Sequence, residues 1–322
     1  SKCVRNYYIH FLRCINLKNN SIVKSISKNK TLLLMLMPAV IHVFIFSYLP
    51  MGGIVMAFKQ FKYQLGIFKS PWVGFNNFRF FFLSGQAITV TRNTILYNLA
   101  FLVVNTSLEV IFAVILSEIS AKHFKKIAQS IMFLPHFVSW VIVASIAYNI
   151  FNYETGVLNN LLISLGLEPV NIYAKPAAWK YILVAFKAWK SVGYGTVVYL
   201  ASIVSIDNEL YEAAEIDGAN IFQRIRHITI PCLVPTMTIL ILLAIGQVFR
   251  GDFGLFYQLV GNNGLLFDAT DIIDTFVFRS LMQSSEVGMA AAAGLYQSIM
   301  CFITIMITNY IVKKVQSDYA LF

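Results

Sequence analysis

The chain has 322 residues, of which 58% are hydrophobic and only 12% charged, with a mean hydropathy of +0.68. Soluble domains carry about 25% charged residues, so an ordinary cytosolic enzyme, a disordered protein and a secreted disulfide scaffold are excluded. The net charge of +10 would suggest nucleic acid in a soluble protein; here the basic residues flank long apolar runs, so the expected neighbour is membrane lipid and no nucleic acid.

The elements read in chain order as an all-α polytopic membrane protein with six transmembrane helices. Residues 1–30 form a basic tail with seven Lys and Arg (Lys2, Arg5, Arg13, Lys18, Lys24, Lys28, Lys30) and no acid. Its length and polarity argue against a cleavable signal peptide. A membrane-spanning helix needs about 20 mostly apolar residues. The first run, 31–58, is uncharged, with Pro38 and Pro50 as candidate kinks. The second, 93–117, is interrupted only by Glu109, and the third, 127–151, is uncharged. The fourth, 181–206, carries Lys187 and Lys190, which can snorkel or attract an anionic ligand. The fifth, 232–249, is short and starts at Pro231; the sixth, 287–312, contains a small-residue stretch at 290–294 suited to close helix packing. Residues 313–322 form the closing tail. None of the runs alternates polar and apolar residues as a β-barrel strand does.

Basic residues set the direction of insertion. The tail, Lys122, Lys125 and Lys126, then Arg224 and Arg226, then Lys313 and Lys314 share one side if both termini are cytoplasmic. Lys59, Lys62, Lys69, Arg79 and Arg92 fall on the other, so the bias is modest. The cysteines Cys3, Cys14, Cys232 and Cys301 are far apart, without a CxxC or a Cys/His pair, and no metal site is expected.

The segment 207–231 is the most informative. Five of the chain's fifteen acids lie there: Asp207, Glu209, Glu212, Glu215 and Asp217. Residues 209–216 suit a short helix capped by Asp207 or Asn208, Gly218 supplies a turn, and 219–228 is again helix-compatible, with Ile221, Phe222 and Ile225 on one face. This predicts a helix–turn–helix on the membrane surface rather than a crossing segment. Glu212-Ala213-Ala214, then Gly218, then Ile228 and Pro231 resemble the EAA loop of bacterial binding-protein-dependent transporter permeases. The string LYEAAEIDGANIFQRIRHITIP is similar to its sugar-permease form. Further likeness lies in Tyr48-Leu-Pro-Met-Gly-Gly, Trp72-Val-Gly-Phe-Asn-Asn-Phe78, Arg92-Asn-Thr94, Phe133-Leu-Pro-His-Phe-Val-Ser-Trp140 and Trp189-Lys-Ser-Val-Gly-Tyr194, as in permeases for oligosaccharides and polysaccharide fragments.

That resemblance implies the type I ABC importer permease fold across 31–312. It implies a second, homologous permease subunit, two ATPase subunits holding ATP and Mg, an extracellular solute-binding protein, and a bacterial plasma membrane. Glu212, Ala213, Ala214, Asp217, Gly218, Ile228 and Pro231 would form the ATPase-coupling element. No phosphate-cradling GxxxxGK[ST] loop is present, so the chain is expected to hold no cofactor and to be no enzyme. The alternatives are the same importer for a glycan fragment, an aminosugar or a sugar phosphate, or a secondary transporter, which should show mid-membrane carboxylates and internal repeats.

Polar groups inside the runs are the substrate-path candidates: Trp189 and Tyr194 as an aromatic face, Gln247 and Asn309 as amides, and Glu109 as the one acid well inside an apolar run. His42 and His136 read as packing partners. The long loop 250–286, with Asp268, Asp271 and Asp274, reads as a solvated surface.

Overall fold

The computed structural model describes residues 29–315, with side chains to 314. Nearly all of the expected basic tail, and residues 316–322, lie outside the described residues. The chain divides into two compact units, Ser1–Val55 and Met56–Phe322. Regular structure among the described residues is helical, apart from a bridge between Lys59 and Trp72.

The first unit holds α1 (Lys30–Val43), which contains Pro38 and continues through a wide turn, Phe44–Tyr48, into a tighter stretch, Leu49–Phe58, whose last three residues belong to the second unit. The whole run Lys30–Phe58 is 29 residues long and strongly apolar. The wide turn ends two residues before Pro50. A proline ring clashes with the carbonyl four residues back, and widening the turn moves that carbonyl aside. His42 lies 4.8 Å from Phe46, ring to ring, as a packing partner.

In the second unit, α2 (Asn76–Leu83) leads into α3 (Gln86–Glu118), 33 residues long. The third run is broken: α4 (Lys122–Phe137) and α5 (Trp140–Phe151) meet at 95°. A short α6 (Val157–Ser164) follows, then α7 (Pro176–Val204), α8 (Asn208–Ile216) and α9 (Ile221–Arg224). A second wide turn, Ile225–Thr229, joins α9 to α10 (Ile230–Gly246) without a break. The fifth span is therefore Ile221–Gly246, 26 residues, and not the short segment expected. Pro231 lies inside it rather than at its start, again two residues after a wide turn, which spares the clash as at Pro50.

Four described helices are long and apolar enough to cross a membrane: Lys30–Phe58, α3, Ile221–Gly246 and α14 (Val287–Val315); the bent α4–α5 pair makes a fifth if it counts as one span. α7 matches them in length at 29 residues and covers most of the expected fourth run, but Lys180, Lys187 and Lys190 dilute its apolar character.

The core of this unit lies along α3 and α7. At one end Val110, Ala113 and Leu116 meet Tyr199, Leu200, Ile203 and Leu233. At the other, Tyr97 and Phe101 pack with Trp179, Leu183 and α11 (Phe253–Val260). The small-residue stretch works as expected: Ala292 and Ala293 are fully buried. A Cβ on Gly288 would press on the Lys59 carbonyl at 2.8 Å.

The 250–286 segment is not the solvated surface that its aspartates suggest. It folds into α11, α12 (Phe267–Thr270) and α13 (Ile273–Met282), and Leu255, Leu266, Ile272 and Ile273 are fully buried. The carboxylates are used internally. Asp252 caps α11 through Leu255 N at 3.1 Å. Asp271, buried, pairs with Arg279 and accepts from Thr275 Oγ1 at 2.6 Å. Asp274 accepts from Gly251 N at 2.7 Å and from Gln297 Nε2 at 2.9 Å. Only Asp268 of the three spaced aspartates is exposed.

Candidate functional site

The 207–231 segment carries its turn chemistry locally. Asp207 accepts from Glu209 N at 3.1 Å and starts α8. After Ile216 the chain reverses at Gly218, whose φ of +79° is the left-handed region that favours glycine. The Ala219 N–H returns to Ala214 O at 2.9 Å and the Gly218 N–H to Glu215 O at 3.0 Å, closing the helix end. Asn220 then opens α9 through a reciprocal capping box with Gln223, at 2.7 and 2.9 Å. Two tertiary ties hold the hairpin shut: the Arg224–Glu215 ion pair and Tyr211 Oη to Thr229 Oγ1 at 3.0 Å. Glu212, Ala213, Asp217, Gly218 and Pro231 are exposed, while Ala214 and Ile228 are half-buried. Ile216 and Phe222 stand out at 87% and 83% exposure, a protruding apolar pair that a soluble protein would cover. The expected helix–turn–helix is thus half right: α8 lies apart, whereas α9 is the first turn of the Ile221–Gly246 span.

Inside the helices, a cavity of about 580 Å³ opens between α3, α7 and α10. Glu109, Tyr194 and Gln247 all line it, together with Asn98, Asn105, Lys187, Tyr199, Arg250 and Asp252. Asn98, Asn105 and Glu109 recur seven and four residues apart, so one face of α3 turns its polar groups to this space. The Glu109 carboxyl lies directly over Gly195, where a Cβ would collide with it. Among the described residues it makes neither an ion pair nor a hydrogen bond. Asn105 Oδ1 is buried without a partner. The same wall thus offers acceptors with no internal donor. At the other end Lys187 Nζ donates to Asp252 Oδ2 at 2.8 Å.

Two expected members stand elsewhere. Trp189 does not share a face with Tyr194, because five residues turn a helix by roughly 140° from alignment. It lines a separate apolar cavity of about 1180 Å³ with Tyr181, Val184, Ala185 and Val192. Asn309, buried, lines a small cavity of about 110 Å³, which Gln247 also borders. Neither Lys187 nor Lys190 snorkels. Lys187 is paired with Asp252, and Lys190 binds backbone carbonyls at the α4–α5 bend. His136 packs its ring on Tyr194, with centroids 4.9 Å apart and 16° between planes.

Residues 109–317 match the family model described as the binding-protein-dependent transport system inner membrane component. The chain belongs to this family. It is 35% identical to protein LplB of Bacillus subtilis over 94% of both chains. It is 30% identical to the polygalacturonan/rhamnogalacturonan transport system permease protein YteP of the same organism over 92% of both. Among solved structures it resembles a chain of a bacterial ABC transporter involved in the import of the acidic polysaccharide alginate. That match has 32% identity and a TM-score of 0.83, covering 92% of this chain and 99% of that one. A second structure of an alginate transporter, in complex with an alginate pentasaccharide-bound periplasmic protein, matches at 0.82.

As a member of this permease family the chain is a multi-pass membrane protein built on the all-α importer fold. Several features of the cavity escaped the sequence reading. Asn98 and Asn105 were legible in principle, as polar residues recurring on Glu109's face. The Lys187–Asp252 pair was not, since 65 residues separate two charges that each look solitary.

Proposed function

We propose that the chain is the transmembrane permease subunit of an ATP-driven importer. It passes an oligosaccharide or polysaccharide fragment, delivered by an extracellular solute-binding protein, into a bacterial cell. The observation that carries this reading is the capped, exposed hairpin at 207–231, rooted in a continuous span and presenting Ile216 and Phe222 outward. In this reading two ATPase subunits receive α8 in a groove. Ala213 and Ala214 allow close approach, Gly218 permits the reversal, and Glu212 and Asp217 face basic partners. Ile228 and Pro231 join the loop to its span.

The permease domain is 31–312 with six spans, α7 being the fourth and the bent α4–α5 pair the third, and residues 1–30 and 313–322 are cytoplasmic tails. A second, homologous permease subunit completes the pathway. The polar cavity is this subunit's share of the substrate path, with Glu109, Tyr194 and Gln247 on its wall. Trp189 and Asn309, on adjoining cavities, guide its sides. Sugars are donor-rich, and the unpaired acceptors Glu109 and Asn105 Oδ1 suit their hydroxyls. ATP binding closes the ATPases and carries the hairpin with it. Loaded binding protein and ATP both favour the outward-open arrangement, since a ligand shifts an equilibrium only by its differential affinity. ATP is hydrolysed in the partner subunits.

The test is co-purification with the partner subunits, reconstitution in lipid, and ATPase measurement with binding protein across a panel of oligosaccharides. Stimulation by a sugar supports the reading. An intact complex that no sugar stimulates removes the sugar assignment, and failure to capture any ATPase subunit removes the coupling role of 207–231.

A further inference from the structure

An α-helix leaves its last four carbonyls without helical donors. At a 95° break in the middle of a span those groups would face hydrocarbon, where each unsatisfied one costs several kcal/mol. At the end of α4 a side chain from another helix supplies donors to Pro135 and His136 and to Val138 just beyond them. Lys190 Nζ donates to Val138 O at 2.6 Å, His136 O at 2.7 Å and Pro135 O at 3.4 Å. An ammonium group has three donors, and all three are used. The indole of Trp140, the first residue of α5, covers the cation at 5.3 Å from its ring centre. The negative end of the α4 dipole adds to the attraction.

The surroundings are shaped to this contact. Gly193, three residues beyond Lys190, lets α7 rest against the α4 backbone, where a Cβ would collide with Met132 O. Gly254 leaves room for the Trp140 ring, which a Cβ would meet at 2.5 Å. His136, whose carbonyl takes the shortest of the α4 bonds, carries the ring stacked on Tyr194. Tyr194 in turn lines the polar cavity.

We propose that Lys190 is the positioning residue of the substrate path: by binding the carbonyls of Pro135, His136 and Val138 it fixes the bend in the third span and seats the His136–Tyr194 stack in the cavity wall. This rests on reading that cavity as the path. Pro135 alone does not account for the bend: its own carbonyl already accepts the Val138 N–H at 3.2 Å, and the ring supplies no donor to the carbonyls of His136 and Val138. Arginine is a poor substitute, because its donors lie in a flat fork rather than converging on one point.

The bend can be measured directly. Spin labels at Ile131→Cys and Ile146→Cys, exposed positions on α4 and α5, report the angle in the assembled complex in lipid nanodiscs, with the four native cysteines replaced by serine. With Lys190 in place one narrow distance is expected. Lys190→Met should broaden and lengthen it and lower sugar-stimulated transport roughly tenfold or more, as loss of a charge-assisted bond implies. Lys190→Arg should recover part of both. If Lys190→Met does not assemble, Lys190→Gln, neutral but with two donors, carries the same comparison. An unchanged distance overturns the proposal, whether transport falls or not. A changed distance with normal transport overturns the link to the substrate path. Should the unaltered complex transport no sugar, the reading of the cavity fails, while the distances still decide whether Lys190 sets the bend.

Discussion

The hairpin at 207–231 and the bend at 137–140 both interrupt helices, and they satisfy the freed backbone groups in opposite ways. The hairpin uses its immediate neighbours: Asp207 caps α8, Gly218 turns the chain, and Asn220 and Gln223 cap α9, all within three residues of the groups they serve. The bend borrows a cation from α7, more than 50 residues along the chain. The contrast follows from the solvent. On an exposed surface water pairs whatever the caps leave over, so local chemistry suffices. Within a span nothing else supplies donors, so the interruption is tied to a neighbouring helix and to the cavity that this helix lines. In the proposed function the hairpin is the part that moves and the bend shapes the wall of the path.

The contrast predicts that substitutions at long-range ties cost more stability than those at local ones. The largest effect is expected at Asp252. Asp252→Ala leaves Lys187 half-buried and unpaired, which should cost about 2–3 kcal/mol, below the range for a fully buried pair because both groups keep some water. Thermal unfolding of the purified complex reads this, and a companion Lys187→Met should recover much of it. A result within noise would make the pair incidental.

Next is Gly195→Leu, whose side chain displaces the Glu109 carboxyl, at about 2 kcal/mol. A double-mutant cycle with Glu109→Ala should show coupling between the two sites, and simple additivity would break the contact. Gly218→Val should cost less in stability, about 1–2 kcal/mol for forcing a branched residue into left-handed backbone. Its effect on function should be larger, with membrane insertion retained and sugar-stimulated ATPase activity lost. Normal coupling in that variant would remove Gly218 from the proposed coupling element.

The smallest effect concerns pH. Burial pushes the Asp274 carboxyl above its ordinary range, although the Gly251 N–H, Gln297 and Arg250 pull it back in part. A raised carboxyl favours the folded state while protonated, so its contribution is fully present below the ordinary value of about 4 and is lost as pH rises through the raised value. Melting temperatures across that interval should slope downward in the parent chain and less steeply in Asp274→Asn. Identical slopes would assign the pH dependence to other groups.

The same contrast explains what was legible in the amino-acid sequence. Runs of apolar residues located the four long apolar helices, and turn residues located the hairpin, because both signals are local. Glu109, Tyr194 and Gln247 meet in one cavity as polar residues in apolar runs should. Trp189 was misplaced because helical phase, and not proximity along the chain, decides which face a side chain joins. The α4–α5 break was hidden because 127–151 carries no charge to mark an interruption and the group that stabilises the break lies on α7. The aspartates of 250–286 read as solvated because their donors, Arg279, Gln297 and the Gly251 N–H, become neighbours only on folding. Pro231 read as a helix start because the wide turn that accommodates it leaves no mark in composition.

The central claim is that this permease moves a sugar by a motion delivered through 207–231. It is tested most directly by sugar uptake into proteoliposomes holding the complete complex, with ATP inside and loaded binding protein outside, for the parent chain and Gly218→Val. Uptake that requires ATP and binding protein, and that Gly218→Val abolishes in a fully assembled complex, is the predicted result. Uptake that proceeds without ATP, or equally well in Gly218→Val, would contradict it.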